Sequence, residues 1–305
     1  MRISSRWTLA LLFTCAGGFS AFAQDSKLDT ARIEQLTGAK GQMNAEEGVF
    51  KVSFPRTDVK VTVDGTPMPP FMGLTSWAAF KPGMKDGAIM VMGDMVLMQD
   101  EVNPVMSAAL ENGLAVTALH NHFFYDEPKV YFMHIGGEGS AEQLAGGVRK
   151  IQDTVKQIRA TSPQPARGFG GEPLPPKSSV TAAPLAAALG AKATEKDGMV
   201  KFTIGRSAKM PCGCEVGKEM GVNTWAAFYG SDEHAFVDGD FATMDGELQP
   251  VLKALRGSGI NIVAIHSHME GETPRVIFLH YWGIGPAPKL AQGVKAALEA
   301  QKDKK

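Results

Sequence analysis

Leu119-His120-Asn121-His122 and, 146 residues later, Ile265-His266-Ser267-His268 carry one pattern twice. The match continues outward without a gap. Pro128 falls on Pro274, His134 on His280, and Leu144-Ala145 with Gly147-Val148 on Leu290-Ala291 with Gly293-Val294. Upstream, Gly93-Asp94, Glu101, Pro104 and Gly113 meet Gly239-Asp240, Glu247, Pro250 and Gly259 at the same shift. Trp77-Ala78-Ala79-Phe80 meets Trp225-Ala226-Ala227-Phe228 at 148, and Gly38-Ala39-Lys40 meets Gly190-Ala191-Lys192 at 152. The chain is therefore an internal duplication, with short loop insertions in the N-terminal part of each unit.

Between the copies, residues 161–180 hold Pro163, Pro165, Pro173, Pro175 and Pro176 with Gly168, Gly170 and Gly171, a composition that sustains neither a helix nor a sheet ladder. This stretch reads as a linker joining a first unit, residues 24–160, to a second, residues 181–305. Each unit has roughly 130 residues, enough to bury a core, and two such units should pack about a pseudo-twofold axis. Within a unit the periodicity predicts a short opening helix (Leu28 to Leu36, Thr181 to Leu189) ended by Gly38 or Gly190. Strands follow at Val49 to Phe54, Val59 to Val63, Thr75 to Phe80 and Ala88 to Met98, where Gly93 suggests a bulge. Asn103-Pro104 opens a helix through Leu110, then come a strand Leu114 to His120, a turn near Tyr125, a strand Lys129 to Ile135 and a closing helix Ser140 to Ile158. The class is α+β with mainly antiparallel sheet.

With 44% hydrophobic and 21% charged residues the chain is an ordinary globular one, and 31 basic against 32 acidic residues give no field for a nucleic-acid binder. Arg2 and Arg6, an apolar stretch from Leu9 to Phe13, and Ala21-Phe22-Ala23 match a secretory signal cleaved after Ala23, so residues 1–23 read as a signal peptide and the mature chain as periplasmic or secreted, with no transmembrane span. Thr14 before Cys15 argues against lipid anchoring there. Cys212-Gly213-Cys214 in an oxidising compartment would close a small strained ring, more suited to a labile pair or a soft metal ligand than to a staple.

Six of the seven histidines fill three matched positions: His120 and His266, His122 and His268, His134 and His280. In a strand, residues i and i+2 share a face, so His-x-His sets two imidazoles side by side and the next strand can bring the third. An acid stands in the intervening turn of both copies, Asp126 and Glu272. Three imidazoles and a carboxylate suit a divalent transition metal, zinc or copper first. The competing account leaves the histidines as hydrogen-bonded residues at the interface between the units. A one-residue slip of the hairpin would turn His134 away from the other two. Asp94, Asp240, Glu101 and Glu247 are also matched. They are candidates for a catalytic base beside the metal, or else a turn residue and a charge favourable to a helix N-terminus.

Trp77 and Trp225 read as core aromatics and Met84, Met90, Met92, Met95, Met98 and Met106 as packing rather than Cu(I) ligands. His120-Asn121-His122 lacks the basic groove of a nuclease, and Gly136-Gly137-Glu138-Gly139 lacks the Lys-Ser/Thr of a nucleotide loop.

Asn223-Thr224-Trp225-Ala226-Ala227-Phe228, Gly93-Asp94 with Glu101-Val102-Asn103-Pro104-Val105, Ala118-Leu119-His120-Asn121-His122 and Phe278-Leu279-His280-Tyr281-Trp282-Gly283 resemble the LppY/LpqO family of exported bacterial proteins across nearly the whole mature chain. The resemblance implies export and little chemistry, since the family is a domain of unknown function. Its namesakes are described as lipoproteins, from which the Ala-Phe-Ala signal departs. The histidine spacing is also similar to the first cupin motif, which would imply a duplicated β-barrel; the helices at Asn103 to Leu110 and Ser140 to Ile158 do not suit one. Three functions are expected of such a chain. It is a metal-binding storage or sensing module, a metal-dependent hydrolase acting on a small molecule, or a metal-free envelope binding module.

Overall fold

The structure is a computed structural model and describes residues 28–301. The proposed signal, Cys15 included, lies outside these residues. In the first unit α1 (Thr30–Thr37) leads into β1 (Gly41–Asn44), β2 (Val49–Pro55), β3 (Thr75–Pro82), β4 (Ile89–Met98), α2 (Gln99–Glu111), β5 (Ala115–His120), β6 (Val130–Gly139) and α3 (Ala141–Thr161). The second repeats the order with α4 (Ala182–Leu189), β7 (Ala193–Lys196), β8 (Met199–Gly205), β9 (Asn223–Gly230), β10 (Ala235–Met244), α5 (Leu248–Gly257), β11 (Asn261–His266), β12 (Val276–Gly285) and α6 (Ala287–Ala300). Small strands at Val61–Val63, Thr66–Met68 and Asp126–Glu127 form a side sheet in the first unit, and Ala208–Lys209 with Glu215–Val216 a ribbon in the second.

All twelve labelled strands join one antiparallel sheet in the order β1-β2-β3-β4-β6-β5-β11-β12-β10-β9-β8-β7, each half reading as the other reversed. The fold is thus a duplicated α+β unit. No barrel closes, because the two units spend their inner edges on each other and end on the short outer strands β1 and β7. Local sequence sets the helix limits. Gly38 and Gly190 take left-handed φ of 70° and 62° after α1 and α4, and the Ser140 hydroxyl accepts the Gln143 N–H at the start of α3. Helix α2 begins four residues before the expected Asn103, because the Glu101 carboxylate accepts the Met98 N–H at 2.8 Å, so Pro104 lies inside the helix.

Gly93 marks no bulge. It keeps regular register between Ala78 and Ile135, and glycine is required because a Cβ there would stand 2.7 Å from the Trp77 carbonyl. The irregularity lies instead between Val116 and Ala118 in β5, and between Ile262 and Ala264 in β11. Each extra residue reverses the alternation: Val116 pairs with Ile135 and Leu119 with Met133 toward the core, while Ala118 and His120 pair with His134 and Phe132 on the opposite face.

One apolar core spans both units on the helix-covered face, drawing Val105 and Met106 from α2, Val148 and Ile151 from α3, and Val251 and Leu255 from α5 together with Val91, Leu119, Ile265 and Leu279 of the sheet. At the seam Leu119 pairs with Ile265. On each side of that pair a helix side chain replaces the missing strand partner. Asn103 exchanges two hydrogen bonds with the backbone of Ile262 (2.8 and 3.1 Å), and Gln249 two with that of Val116 (2.9 and 2.7 Å). Asn103 and Gln249 are repeat equivalents, so the clamp is reciprocal.

Replacing Asn103 by Leu leaves the Ile262 N–H and C=O buried without partners, at about 1–3 kcal/mol. A urea midpoint lowered accordingly is expected for Asn103→Leu and for Gln249→Leu; unchanged midpoints would show that the clamps do not hold the units together.

Candidate functional site

The open face of the sheet, opposite the helices, gathers the matched polar residues. Residues paired across antiparallel strands share a face. Trp77 pairs with Asp94, Asp94 with His134, and His134 with Ala118. Trp225, Asp240, His280 and Ala264 form the same row in the second unit. With Leu119 opposite Ile265, Ala118 stands opposite His266 and Ala264 opposite His120, so each row runs into the other unit's histidine. His120 and His266 are diagonal neighbours across the seam. The two clusters therefore lie side by side.

Within the first cluster the Nε2 atoms of His120 and His134 are 3.0 Å apart, and the His122 ring stacks on Phe132 with centroids at 3.4 Å. In the second, His268 stacks on Phe278 at 3.5 Å, its Nε2 stands 3.7 Å from Asp240 Oδ2, and the His266 and His280 rings are 4.9 Å apart. Oδ1 of Asp94 and Oδ1 of Asp240 are both buried and accept no hydrogen bond. Burial pushes both carboxyls above the usual aspartate range, and the neighbouring imidazoles, His134 and His280 foremost, pull them back. The His122 and His268 imidazoles are pushed down, chiefly by desolvation. Among the described residues no group of three or more His, Cys, Asp or Glu side chains is arranged so that it could hold a metal ion.

The other acids lie elsewhere. Asp126 closes its own turn, accepting the Val130 N–H at 2.7 Å and the Lys129 ammonium at 2.7 Å, and Glu272 accepts the Val276 N–H at 2.9 Å. Neither joins the imidazoles; the fourth member of each cluster is Asp94 or Asp240, two strands from His120 or His266. Glu101 is fully buried in a bidentate pair with Arg56 (2.7 and 2.8 Å) and stands 3.0 Å from Arg159 Nε, while Glu247 pairs with Arg206 at 2.7 and 3.0 Å. These glutamates tie helices to strands and carry no chemistry toward the histidines. Their partners Arg56 and Arg206, matched at a shift of 150, escaped the sequence reading, although that match was the available signal.

Trp77 and Trp225 face the open side, because Ala78, Phe80, Ala226 and Phe228 take the inward positions. Each indole carries a lysine over its ring, Lys51 at 4.2 Å and Lys201 at 4.3 Å. The Tyr281 hydroxyl bonds to the Trp225 carbonyl at 3.0 Å, and Gly239 leaves the room that approach needs. Met95, Met98 and Met106 are buried, whereas Met84, Met90 and Met92 are exposed. Cys212 and Cys214 are exposed and free. No helix among the described residues is long and apolar enough to cross a membrane.

The family model described as "Domain of Unknown Function (DUF1259)" matches residues 31–154 and again residues 183–300. The chain belongs to that family as two tandem copies of its domain. No curated protein matches the chain in sequence. A solved structure, that of a trimeric bacterial microcompartment shell protein PduB, is 12% identical over 85% of this chain and 89% of its own; at a TM-score of 0.19 the likeness carries nothing about fold or function.

Glu101→Gln should remove the acid between two buried guanidinium groups and lower stability by about 3–5 kcal/mol, measured by denaturant titration. The fold placement also requires metal or ligand binding of the refolded variant to match wild type; a selective loss of binding with full stability would return Glu101 to the site.

Proposed function

We propose that each unit binds one divalent transition-metal ion, zinc or copper by ligand type, through Asp94, His120, His122 and His134 in the first copy and Asp240, His266, His268 and His280 in the second. The observation that carries this reading is the buried, unpartnered carboxylate oxygen set among three imidazoles, present in both copies. A lone buried acceptor costs roughly 1–3 kcal/mol, a cost that a cation removes. Tetrahedral zinc at about 2.0–2.1 Å from each nitrogen needs imidazole nitrogens about 3.3 Å apart, close to the His120–His134 separation of 3.0 Å. His120, His134 and Asp94, with their second-unit equivalents, stand on strands, so this reading requires the His122 and His268 rings to leave their stacks on Phe132 and Phe278 when the ion binds.

Export to the periplasm or beyond belongs to the same proposal, as does kinship with the LppY/LpqO proteins; both rest on the residue strings and the N-terminal signal pattern. A metal-binding module for storage or sensing is the primary role. A second role, a metal-dependent hydrolase in which the three imidazoles alone hold the ion, water takes the fourth position and the aspartate acts as base, is favoured by one feature: a cleft of about 700 Å³ that reaches Asp240 and His268 from outside.

Mature protein purified without a His-tag should hold about two metal ions per chain by plasma mass spectrometry, about one after Asp94→Asn with His120→Ala, and none when Asp240→Asn and His266→Ala are added. Metal-free wild type that takes up neither zinc nor copper on titration would overturn the reading and leave the histidines as seam residues.

A further inference from the structure

The two clusters are near copies, yet their approaches differ. Beside Trp225 the cleft of about 700 Å³ runs from three lysines, Lys192, Lys201 and Lys218, inward to Asp240 and His268. The chain as a whole carries a formal charge of −1, so this concentration of cations is local. Lys201 is held over the Trp225 ring, its ammonium 4.3 Å from the centroid, which fixes a charge that would otherwise swing freely. Lys192 corresponds to Lys40, which is neutralised by Glu34 at 2.7 Å; the residue matching Glu34 is Ala186, and among the described residues no acid pairs with Lys192. Lys218 stands where the first unit has Pro70, on a short turn that Asn223 ties down through the Lys218 carbonyl at 2.8 Å. Its ammonium stands 3.1 Å from the carboxylate of Glu219, an exposed pair at the rim that solvent screens. On the corresponding surface of the first unit, Phe71 is 100% and Met92 59% exposed.

We propose that the cleft of the second unit binds the phosphoryl group of a small phosphate monoester, with the Asp240 cluster at its inner end. Three compact ammonium groups carried on different elements around one cleft suit a doubly charged, roughly spherical anion better than the planar carboxylate that an arginine fork would select. The first unit lacks the third lysine and the unpaired one, so the two halves divide the work: both hold an ion, and only the second admits the anion. The placing of a metal at the inner end rests on the metal reading above; the lysine contacts do not.

The test is calorimetric titration of glycerol 2-phosphate into the full mature chain at low ionic strength, once after chelator treatment and once loaded with zinc. Saturable binding is expected, weakened at least about tenfold by Lys201→Gln with Lys218→Gln and by Lys218→Gln alone in part, and unchanged by Lys51→Gln in the first unit. Glycerate, the carboxylate counterpart, should bind at least about tenfold more weakly. Binding that survives in protein shown to take up no metal would sustain the anion cleft while the metal reading fails. Absence of binding at millimolar ligand, equal affinity for glycerate, or indifference to the lysine substitutions in variants of wild-type circular dichroism would overturn the proposal. So would co-sedimentation with phosphatidylglycerol vesicles without any response to glycerol 2-phosphate, which would assign the lysines to a lipid surface.

Discussion

The contact between β5 and β11 is the constraint on which the rest of the molecule depends. A strand at the edge of a sheet carries unpaired N–H and C=O groups, and each unit ends on such an edge. Joining the two edges yields one sheet and one apolar core, and it fixes the register that puts His120 and His266 on the same face. Only one residue pair makes a regular bridge there. The reciprocal amide clamps from Asn103 and Gln249 supply the hydrogen bonds that a longer pairing would otherwise have made, each reaching the backbone just where the opposing strand departs.

The extra residue in β5 and in β11 resolves a conflict between core and site. A regular strand cannot turn Val116 and Leu119 to the same face, since they are an odd number of residues apart. The core requires both, and the imidazole of His120 has to stand with that of His134. Inserting Thr117, or Val263 in the second copy, satisfies the two demands at once. Core packing and the alignment of the imidazoles are thus set by the same irregularity, which recurs in both units.

Much of this was legible in the chain itself. The repeat, the opening helices ended by Gly38 and Gly190, the closing helices, the His-x-His pair and the third histidine followed from spacing and periodicity, because they depend on residues near one another in sequence. The choice of carboxylate did not. Asp126 and Glu272 lie close to the histidines along the chain but are consumed by their own turns, whereas Asp94 and Asp240 reach the imidazoles only through the order of strands β4-β6-β5 and its mirror. Sheet order is a long-range property that a single sequence does not display. The indole of Trp77 lies outside the core for a related reason: Ala78 and Phe80 take the inward positions at alternate places along the strand, which leaves Trp77 and Ala79 on the open face.

Tyr125 and its equivalent Gly271 both adopt left-handed backbone, with φ of 58° and 76°, although only glycine does so without steric cost. Two identical subunits meeting at this seam would have been obliged to hold the same residue there, and the same lysines at both rims. Fusion into a single chain lifts that obligation. Each half can then be altered separately while the shared sheet keeps both in register, as Ala186, Lys218 and Gly271 against Glu34, Pro70 and Tyr125 record.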